Sequence, residues 1–410
     1  MGEHIVVGID VGTTKVVTLI GEVLVDGRVE VIGVGITPSR GLRKGIVVNV
    51  DEAVEAIGAS VRKAEQQSGF KLVGAYVGIA GGHVASENSH GVVPVRRHDK
   101  VITQEDVNRV LDAARIVNLP PDREIIHMIP RYFVVDGQEG VRNPVGMLGH
   151  RLEVEANIVT GALTSVHNLL RCVERVGVGV DALVLQGLAA GEAVLTEAEK
   201  DLGVLLVDVG GGTTSAAVFV DGSISHALVL PVGGYHLTND IAIGLRVPFH
   251  TAEEIKLRYG CALASAIDED RALNGTTPSD GRGRQVSERM VSEILEARLA
   301  ETFELVYTEL RRAGYDTSLP AGVVLTGGTA QLRGIRELAG VVFPGAVRVG
   351  VPQGVTGLTD ALGTPAAAAA VGLLRWGSVQ TEEPSAAPHR KLVGGALGAI
   401  SHWLRALLPE

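Results

Sequence analysis

Cysteine is nearly absent. The 410 residues contain two, Cys172 and Cys261, too few for a disulfide framework, and neither sits in a CxxC pair. A reducing compartment fits that usage. Aromatic residues make up only 3% while glycine numbers 53, which points to tight turns and close backbone approaches rather than large stacking surfaces. Positive charge is also short. Lys and Arg total 37 against 47 Asp and Glu, a net charge of −10 that argues against a general nucleic-acid binder. No run of about 18 apolar residues occurs, so no helix is expected to span a membrane. The opening Met1-Gly2-Glu3-His4 has no basic segment, long apolar run or cleavage site, so no secretory signal is expected. Met1-Gly2 suits myristoylation, but Val6 stands where Ser or Thr is required. A GxxxxGK[ST] loop is missing, as is a G-x-G-x-x-G turn after the first strand. What remains is ordinary globular usage, 46% hydrophobic and 20% charged, long enough for two to four domains at about 150 residues each.

Apolar runs at residues 5–11 and 16–25 read as a hairpin, with a third strand at Val29–Pro38. Asp51 is placed to cap a helix running to Ser68, and Leu72–Ala80 reads as a buried strand. Thr103 and Asp106 form a capping-box-like start to a second helix. Strands are expected at Ile125–Val135, Leu152–Val159 and Gly179–Leu185, and helices at Ser165–Val176 and Leu188–Ala198. Beyond them, helices are expected at Thr238–Leu245, Thr251–Tyr259, Val286–Ala313, Gln331–Ala339 and Pro365–Trp376, with a short strand at Gly322–Leu325. Asp268–Arg284 reads as a polar loop and Gly377–Arg390 as a flexible linker.

The opening pattern returns 198 residues on. Asp10-Val-Gly12-Thr13-Thr14-Lys15 lies between two strands, and so does Asp208-Val-Gly210-Gly211-Gly212-Thr213-Thr214. Two copies, each opening half the chain, imply duplicated lobes facing one another. A third glycine turn, Gly327-Gly328-Thr329, follows Leu325-Thr326. Glycine turns between strands expose successive backbone N–H groups and lack the Cβ atoms that would keep a phosphate away. Thr13, Thr14, Thr213 and Thr214 can add hydroxyl donors, and Lys15 a full charge. Asp10 and Asp208 beside phosphates suit Mg²⁺ held largely through its waters. The third turn lacks an acid and suits a base, or the ribose and α-phosphate side.

These motifs resemble the actin/DnaK-type chaperone/hexokinase ATPase superfamily, with two phosphate turns and an adenosine turn lining the cleft between two lobes. Glu253 and Lys256 resemble the pair that reaches the ribose there; by spacing alone such a pair is more often an ordinary i,i+3 surface contact. The likeness sharpens to the FtsA family of actin-like bacterial cell-division proteins. It is carried by Ile126-His127 through Gly146-Met147, Ser39-Arg-Gly-Leu-Arg-Lys-Gly45, Val232-Gly233-Gly234 through Ile241, and Pro352 through Leu374. It covers about residues 5–376.

The resemblance implies an α/β, actin-like ATPase fold: two ribonuclease-H-like lobes around a nucleotide cleft, with an inserted α+β subdomain, 1C, in place of actin subdomain 1B. Subdomain 1A would take residues 1–82 and 163–202, 1C 83–162, 2A 203–236 and 318–376, and 2B 237–317. ATP would be bound by Gly12, Thr13, Thr14, Lys15, Gly210, Gly211, Gly212, Thr213, Gly233, Gly234, Glu253, Lys256, Gly327, Gly328 and Thr329, and Mg²⁺ by Asp10 and Asp208. Any hydrolysis would rest on those two acids. Many members carry Glu-Pro where this chain has Gln186-Gly187, and in chaperone-type relatives that Glu positions the attacking water. Weak or absent ATPase activity is therefore expected. Thr329 stands where a smaller residue is frequent.

Residues 391–410 form a helical pattern. Leu392, Val393, Ala396, Leu397, Ile400, Trp403, Leu404, Leu407 and Leu408 share a face, and Lys391, Ser401, His402 and Arg405 lie off it. A terminal helix docked on the core has the same pattern. With the linker before it and the family resemblance, the expectation is a membrane-targeting amphipathic helix using Leu397, Ile400, Trp403, Leu404, Arg405, Leu407 and Leu408. The resemblance implies an ATP-dependent, polymerising adaptor at the cytoplasmic face of the membrane, at the division septum. It would bind anionic lipids, the C-terminal peptide of the tubulin-like protein FtsZ through 2B, and later division proteins through 1C. The alternatives from the same superfamily are a PilM-like pilus-assembly protein and a sugar-kinase-like phosphotransferase.

Overall fold

A computed structural model describes residues 4–267, 271–273, 286–315 and 319–381. In the first lobe β1 (His4–Val11) and β2 (Lys15–Val23) form the expected hairpin, and β3 (Val29–Pro38) continues it antiparallel. A small hairpin follows, β4 (Leu42–Arg43) with β5 (Ile46–Val47). The next helix is α1 (Val50–Ser68), capped by Asn49 rather than Asp51: Asn49 Oδ1 accepts from the Glu52 N–H at 3.3 Å. Asn49 is still extended while Asp51 is already inside the first turn, where its charge suits the helix dipole instead. β6 (Gly74–Ile79) then pairs parallel with β1.

An insertion interrupts this lobe. β7 (Ala85–Pro94), α2 (Gln104–Ala114), β8 (Arg123–Val135), β9 (Gln138–Val141) and β10 (Arg151–Ala162) give a sheet of order β7-β10-β8-β9. Val107, Val110 and Leu111 of α2 bury against Phe133, Leu152 and Val154 of that sheet. The capping box is present, with both the backbone N–H and the hydroxyl of Thr103 donating to Asp106 at 2.9 Å. β7 is not legible in the sequence, because an edge strand with solvated faces needs no apolar alternation.

The chain returns to the first lobe with α3 (Leu163–Arg175) and β11 (Gly179–Leu185), then crosses through α4 (Gln186–Val194). The single helix expected over Leu188–Ala198 is two. Leu195 is extended, and Thr196 opens α5 (Glu197–Leu202) with a capping box to Glu199. The second lobe contains β12 (Val204–Val209), β13 (Thr214–Val220), β14 (Ser223–Leu230), α6 (Gly234–Leu245), α7 (Phe249–Tyr259), α8 (Glu288–Arg312), β15 (Val323–Thr326), α9 (Ile335–Val342) and β16 (Val347–Val349). α9 starts later than the expected Gln331, since Gly328–Gln331 first makes a 3-10 turn. β17 (Val355–Gly357) and α10 (Ala368–Thr381) complete the described chain.

The two lobes repeat one topology. The first sheet runs β11-β6-β1-β2-β3-β17, and the second β14-β13-β12-β15-β16. In each, the antiparallel hairpin that bears the Asp-x-Gly turn has a parallel strand beside it. Asp10 stands opposite Gly78 on β6, and Asp208 opposite Thr326 on β15. β17 joins β3, so the chain ends its described course on the first lobe. There α10 crosses α4 so closely that a Cβ on Gly372 would fall 1.6 Å from the Ala189 carbonyl oxygen. α10 extends to Thr381, past the Gly377 where the linker was expected to begin. Gly377 is packed where a Cβ would lie 2.3 Å from Val6, so the core holds the helix beyond the point where composition changes. The rest of the linker and the whole 391–410 helix, with Leu397, Ile400, Trp403, Leu404, Arg405, Leu407 and Leu408, lie outside the described residues. Among the described residues no helix is long and apolar enough to cross a membrane.

The insertion also meets the second lobe. Ser86 Oγ accepts from the Ala227 N–H at 3.1 Å, and Asn157 Nδ2 donates to the Ser225 carbonyl at 3.3 Å.

Candidate nucleotide site

The two hairpin turns close in the same way: Gly12 N–H donates to the Lys15 carbonyl at 3.1 Å, and Gly210 N–H to the Thr213 carbonyl at 2.9 Å. They meet face to face across the lobes. A Cβ on Gly211 would fall 2.4 Å from Thr14, and one on Gly212 would fall 2.3 Å from Thr13. Any side chain at either glycine would push the lobes apart. The third turn packs on the second. Gly327 has φ +88°, and a Cβ there would sit 2.3 Å from Asp208 Oδ1. Glycine satisfies both the conformation and the space. Thr329 Oγ1 donates to the Gly210 carbonyl at 3.3 Å, so the hydroxyl that a smaller residue would lack braces the turn.

Between the lobes lies a cavity of about 990 Å³. Gly12, Thr13, Thr14 and Lys15 line it from one side, Gly210, Gly211, Gly212 and Thr213 from the other, and Gly327, Gly328 and Thr329 from the third turn. Asp10, Asp208, Gly234, Glu253 and Lys256 line it too. Gly233 is not among the lining residues; it packs behind the second turn, where a Cβ would meet the Gly210 carbonyl oxygen at 2.6 Å. Thr214 is not available as a phosphate donor. It is fully buried, and its hydroxyl donates to the Val232 carbonyl at 2.8 Å.

Asp10 and Asp208 face the same cavity with little compensation. Burial pushes the Asp10 carboxyl up to about 6, against the opposing pull of Lys15 and of a hydrogen bond from Gln186. Burial pushes Asp208 up to about 7, and the charge of Asp10 adds to that rise while Lys15 opposes it. Two buried acids on one cavity, the charge of Asp10 raising the proton affinity of Asp208, mark a place where a cation would be favourable. Among the described residues no cluster of three or more His, Cys, Asp or Glu could cage a metal. The pair therefore fits a hydrated Mg²⁺ whose other ligands are waters and phosphate oxygens.

On the far side, Lys256 Nζ donates to Glu253 Oε2 and Thr238 Oγ1, both at 2.8 Å, and to the Gly234 carbonyl at 3.2 Å. This knot joins α6 to α7 and presents a cation and a carboxylate to the cavity. The Thr238–Glu253 hydrogen bond completes it. Sequence reading gave no site role to Thr238, whose burial and place in this knot only folding shows. It also passed over Gly45 of the β4–β5 hairpin, and Tyr259, Leu332 and Arg333, which line the end of the cavity near the third turn. Only folding brings those segments there.

Known proteins resemble this chain over most of its length. The family model "Cell division protein FtsA" matches residues 205–372, and "SHS2 domain inserted in FTSA" matches residues 81–160, the insertion of β7 to β10. The cell division protein FtsA of Pseudomonas aeruginosa is 47% identical over 372 residues, covering 91% of this chain and 89% of that protein. That of Neisseria meningitidis is 42% identical, covering 97% of each, and that of Escherichia coli K12 is 37% identical, covering 98% and 97%. Among solved structures, a PilM–PilN type IV pilus biogenesis complex aligns with a TM-score of 0.65 at 16% identity, over 92% of this chain and 99% of that one. MreB5 of Spiroplasma citri bound to ADP aligns with a TM-score of 0.51 at 13% identity, over 85% and 92%. These structures show the fold, which is actin-like. Two lobes of one topology, a glycine-lined cleft between them and near-full-length relatives lead to one conclusion: the chain belongs to the FtsA family of cell division proteins.

Proposed function

We propose that this protein is an ATP-binding, polymerising adaptor that tethers FtsZ filaments to the cytoplasmic face of the membrane at the septum. The observation that carries the nucleotide half is the pairing of the two Asp-x-Gly turns across one cavity of about 990 Å³. A nucleoside triphosphate would lie with its phosphates between Gly12–Lys15 and Gly210–Thr213. Its ribose would face Glu253 and Lys256, and its base would lie toward Gly327–Thr329. Mg²⁺, near Asp10 and Asp208, would neutralise phosphate charge and link the lobes. The MreB5 relatives of the fold, solved with ADP and AMPPNP, support a nucleotide in this cleft. With Gln186 where many relatives carry Glu, ATP acts chiefly as a ligand that favours the closed, polymerising arrangement, and turnover is weak.

The membrane half rests on the 391–410 pattern. Burial of one Leu-sized side chain is worth roughly 1.5–3 kcal/mol, but a single tail is only partly buried and must fold on the lipid. It should bind reversibly. A polymer presents many tails, so later contacts become effectively intramolecular. FtsZ would engage the α6–α8 region, and later division proteins the inserted subdomain. The deciding experiment is pelleting with anionic-lipid vesicles, with and without ATP, using the full chain, the full chain carrying Trp403→Glu, and a chain ending at Arg390. ATP should raise pelleting of the full chain only. Equal pelleting of all three proteins would sink the tether reading.

A further inference from the structure

The α6–α7 knot uses its donors and acceptors unequally. The Lys256 ammonium has three protons to give. All three have acceptors inside the protein: Glu253 Oε2 and Thr238 Oγ1, both at 2.8 Å, and the Gly234 carbonyl at 3.2 Å. The ammonium is also boxed in. Its side chain is only 11% exposed. A Cβ on Gly234 would fall 3.7 Å from Lys256 Nζ and 2.8 Å from Thr329 Oγ1, so the third turn closes on the same spot. Lys256 has no spare donor for a ligand unless it gives up a bond it already holds.

Glu253 is the opposite case. Its Oε2 accepts from Lys256 and from Thr238, while Oε1 has no partner among the described residues. The side chain is 38% exposed and lines the cavity. A carboxylate oxygen only accepts, so the free Oε1 suits a ligand group that donates. The triphosphate of a magnesium nucleotide offers acceptors, whereas its ribose offers two hydroxyl donors.

Thr238 stands behind this pair. It is fully buried, one turn along α6 from Gly234, and is not among the residues that line the cavity. Its single hydroxyl proton has two acceptors in reach, the Gly234 carbonyl at 3.0 Å and Glu253 Oε2. The carboxylate is the stronger acceptor because the bond to it is charge-assisted, and the Gly234 carbonyl already accepts from Lys256. Thr238 thus accepts from the ammonium and donates to the carboxylate. It fixes Oε2 from behind and leaves Oε1 as the oxygen open to a ligand.

We propose that Thr238 is a positioning residue for sugar recognition: with Lys256 it clamps Glu253 Oε2, so that Glu253 Oε1 accepts from a ribose hydroxyl while Lys256 makes no direct contact with the sugar. This rests on the nucleotide reading above and names the atom of that site that selects a ribonucleotide. The knot is then a holder and a reader, with Lys256 and Thr238 holding and Glu253 reading.

The test is calorimetric titration of the full chain with Mg-ATP and with its 2′,3′-dideoxy analogue, at protein concentrations below those that sediment as polymer. Wild type, Thr238→Val, Thr238→Ser, Glu253→Ala and the double variant Thr238→Val with Glu253→Ala are compared. Wild type should bind ATP about tenfold or more tighter than the dideoxy compound, as one charged hydrogen bond allows. Thr238→Val should cut that preference to about threefold or less, through weaker ATP binding, with dideoxy affinity moving less than about twofold. Thr238→Ser, which keeps the hydroxyl, should retain most of the preference. Glu253→Ala should abolish it, and adding Thr238→Val should then change it no further. If Thr238→Val does not fold, Thr238→Ala carries the same expectation. A full preference in the Thr238 variant that lacks the hydroxyl, or equal weakening of both compounds, would overturn the positioning role. A preference that survives in Glu253→Ala would make Lys256 the reader and overturn the division of roles. Equal binding of the two compounds by wild type would overturn the ribose contact, and failure to bind either would overturn the nucleotide reading itself.

Discussion

Gln186 Nε2 donates to Asp10 Oδ1, joining the first residue of the interlobe helix α4 to the acidic end of β1. The same helix lies against α10, with Gly372 on Ala189. Where a glutamate would stand as a second charge, a neutral amide here donates to the carboxylate and lowers its proton affinity. Gln186 therefore orients that acid.

Asp208→Asn separates stability from function. In the metal-free fold the Asp208 carboxyl titrates near 7 against an ordinary 3.8. The folded state thus binds more protons than the unfolded chain between those values, and stability falls as pH rises through that window. Removing the charge should stabilise the metal-free protein at pH 8 by about 2 kcal/mol, less than the full shift implies because the group faces an open cleft. The same variant should lose at least about tenfold in Mg-ATP affinity, since charged contacts are worth roughly 1.5–3 kcal/mol. Melting curves at pH 5 and pH 8, with and without Mg-ATP, check both halves; an unchanged affinity would remove Asp208 from the metal site.

Charge removal at the α6–α7 knot should weaken nucleotide binding without unfolding the lobe. Glu253→Gln with Lys256→Met is expected to cost about tenfold or more in affinity, from charged hydrogen bonds worth roughly 1.5–3 kcal/mol each. Titration with ATP and with its 2′,3′-dideoxy analogue tells a ribose contact from a surface pair. If the double variant lost as much for the dideoxy compound as for ATP, the ribose role would be wrong.

His127 sets an acid limit on the fold. Its Nε2 accepts from the Leu185 N–H at 3.0 Å, beside Trp376 of α10, and burial pushes the ring down from 6.5 to about 4. The unfolded chain binds more protons in that interval, so the stability from a neutral His127 is complete above pH 6.5 and is lost as pH falls to about 4. After allowance for its partial exposure, the loss should be about 2 kcal/mol. Urea midpoints from pH 7 to pH 4.5 should fall more steeply in wild type than in His127→Gln, whose amide oxygen can still accept from Leu185. Parallel slopes would mean that the ring is not the titrating group.

The seam between the insertion and the second lobe joins apolar packing of Ile129 and Val159 with Ile224 and Ala227 to a polar contact between the buried residues Asn157 and Ser225. Asn157 Nδ2 reaches Asn88 Oδ1 at 2.8 Å, Ser86 Oγ at 3.1 Å and the Ser225 carbonyl at 3.3 Å. Asn157→Ala should cost about 1–3 kcal/mol because the buried Ser225 carbonyl loses its donor. Chemical denaturation measures this, and a change within about 0.5 kcal/mol would show the seam to be loosely made.

Local chemistry determined much of this protein from its sequence alone. The repeated Asp-x-Gly turns, the alternation of β1 to β3 and the Thr103 capping box depend on neighbours in the chain, so residues 10–15, 208–213 and 327–329 announced the glycine-rich turns that line one cleft. Edge strand β7 stayed hidden because solvation removes its periodicity. The break at Leu195 was missed because a helical apolar pattern continued across the capping box that interrupts it. Tertiary structure alone decided which groups meet: Gln186 on Asp10, Gly212 against Thr13, Gly45 at the cavity wall, and Thr214 turned away to Val232. It also carried α10 to Thr381, because the packing of Gly377 against Val6 is a contact between residues at opposite ends of the chain. The Gly212–Thr13 contact depends on how the two lobes close on each other, and the others join residues far apart in the chain within a lobe, so no local spacing encodes them.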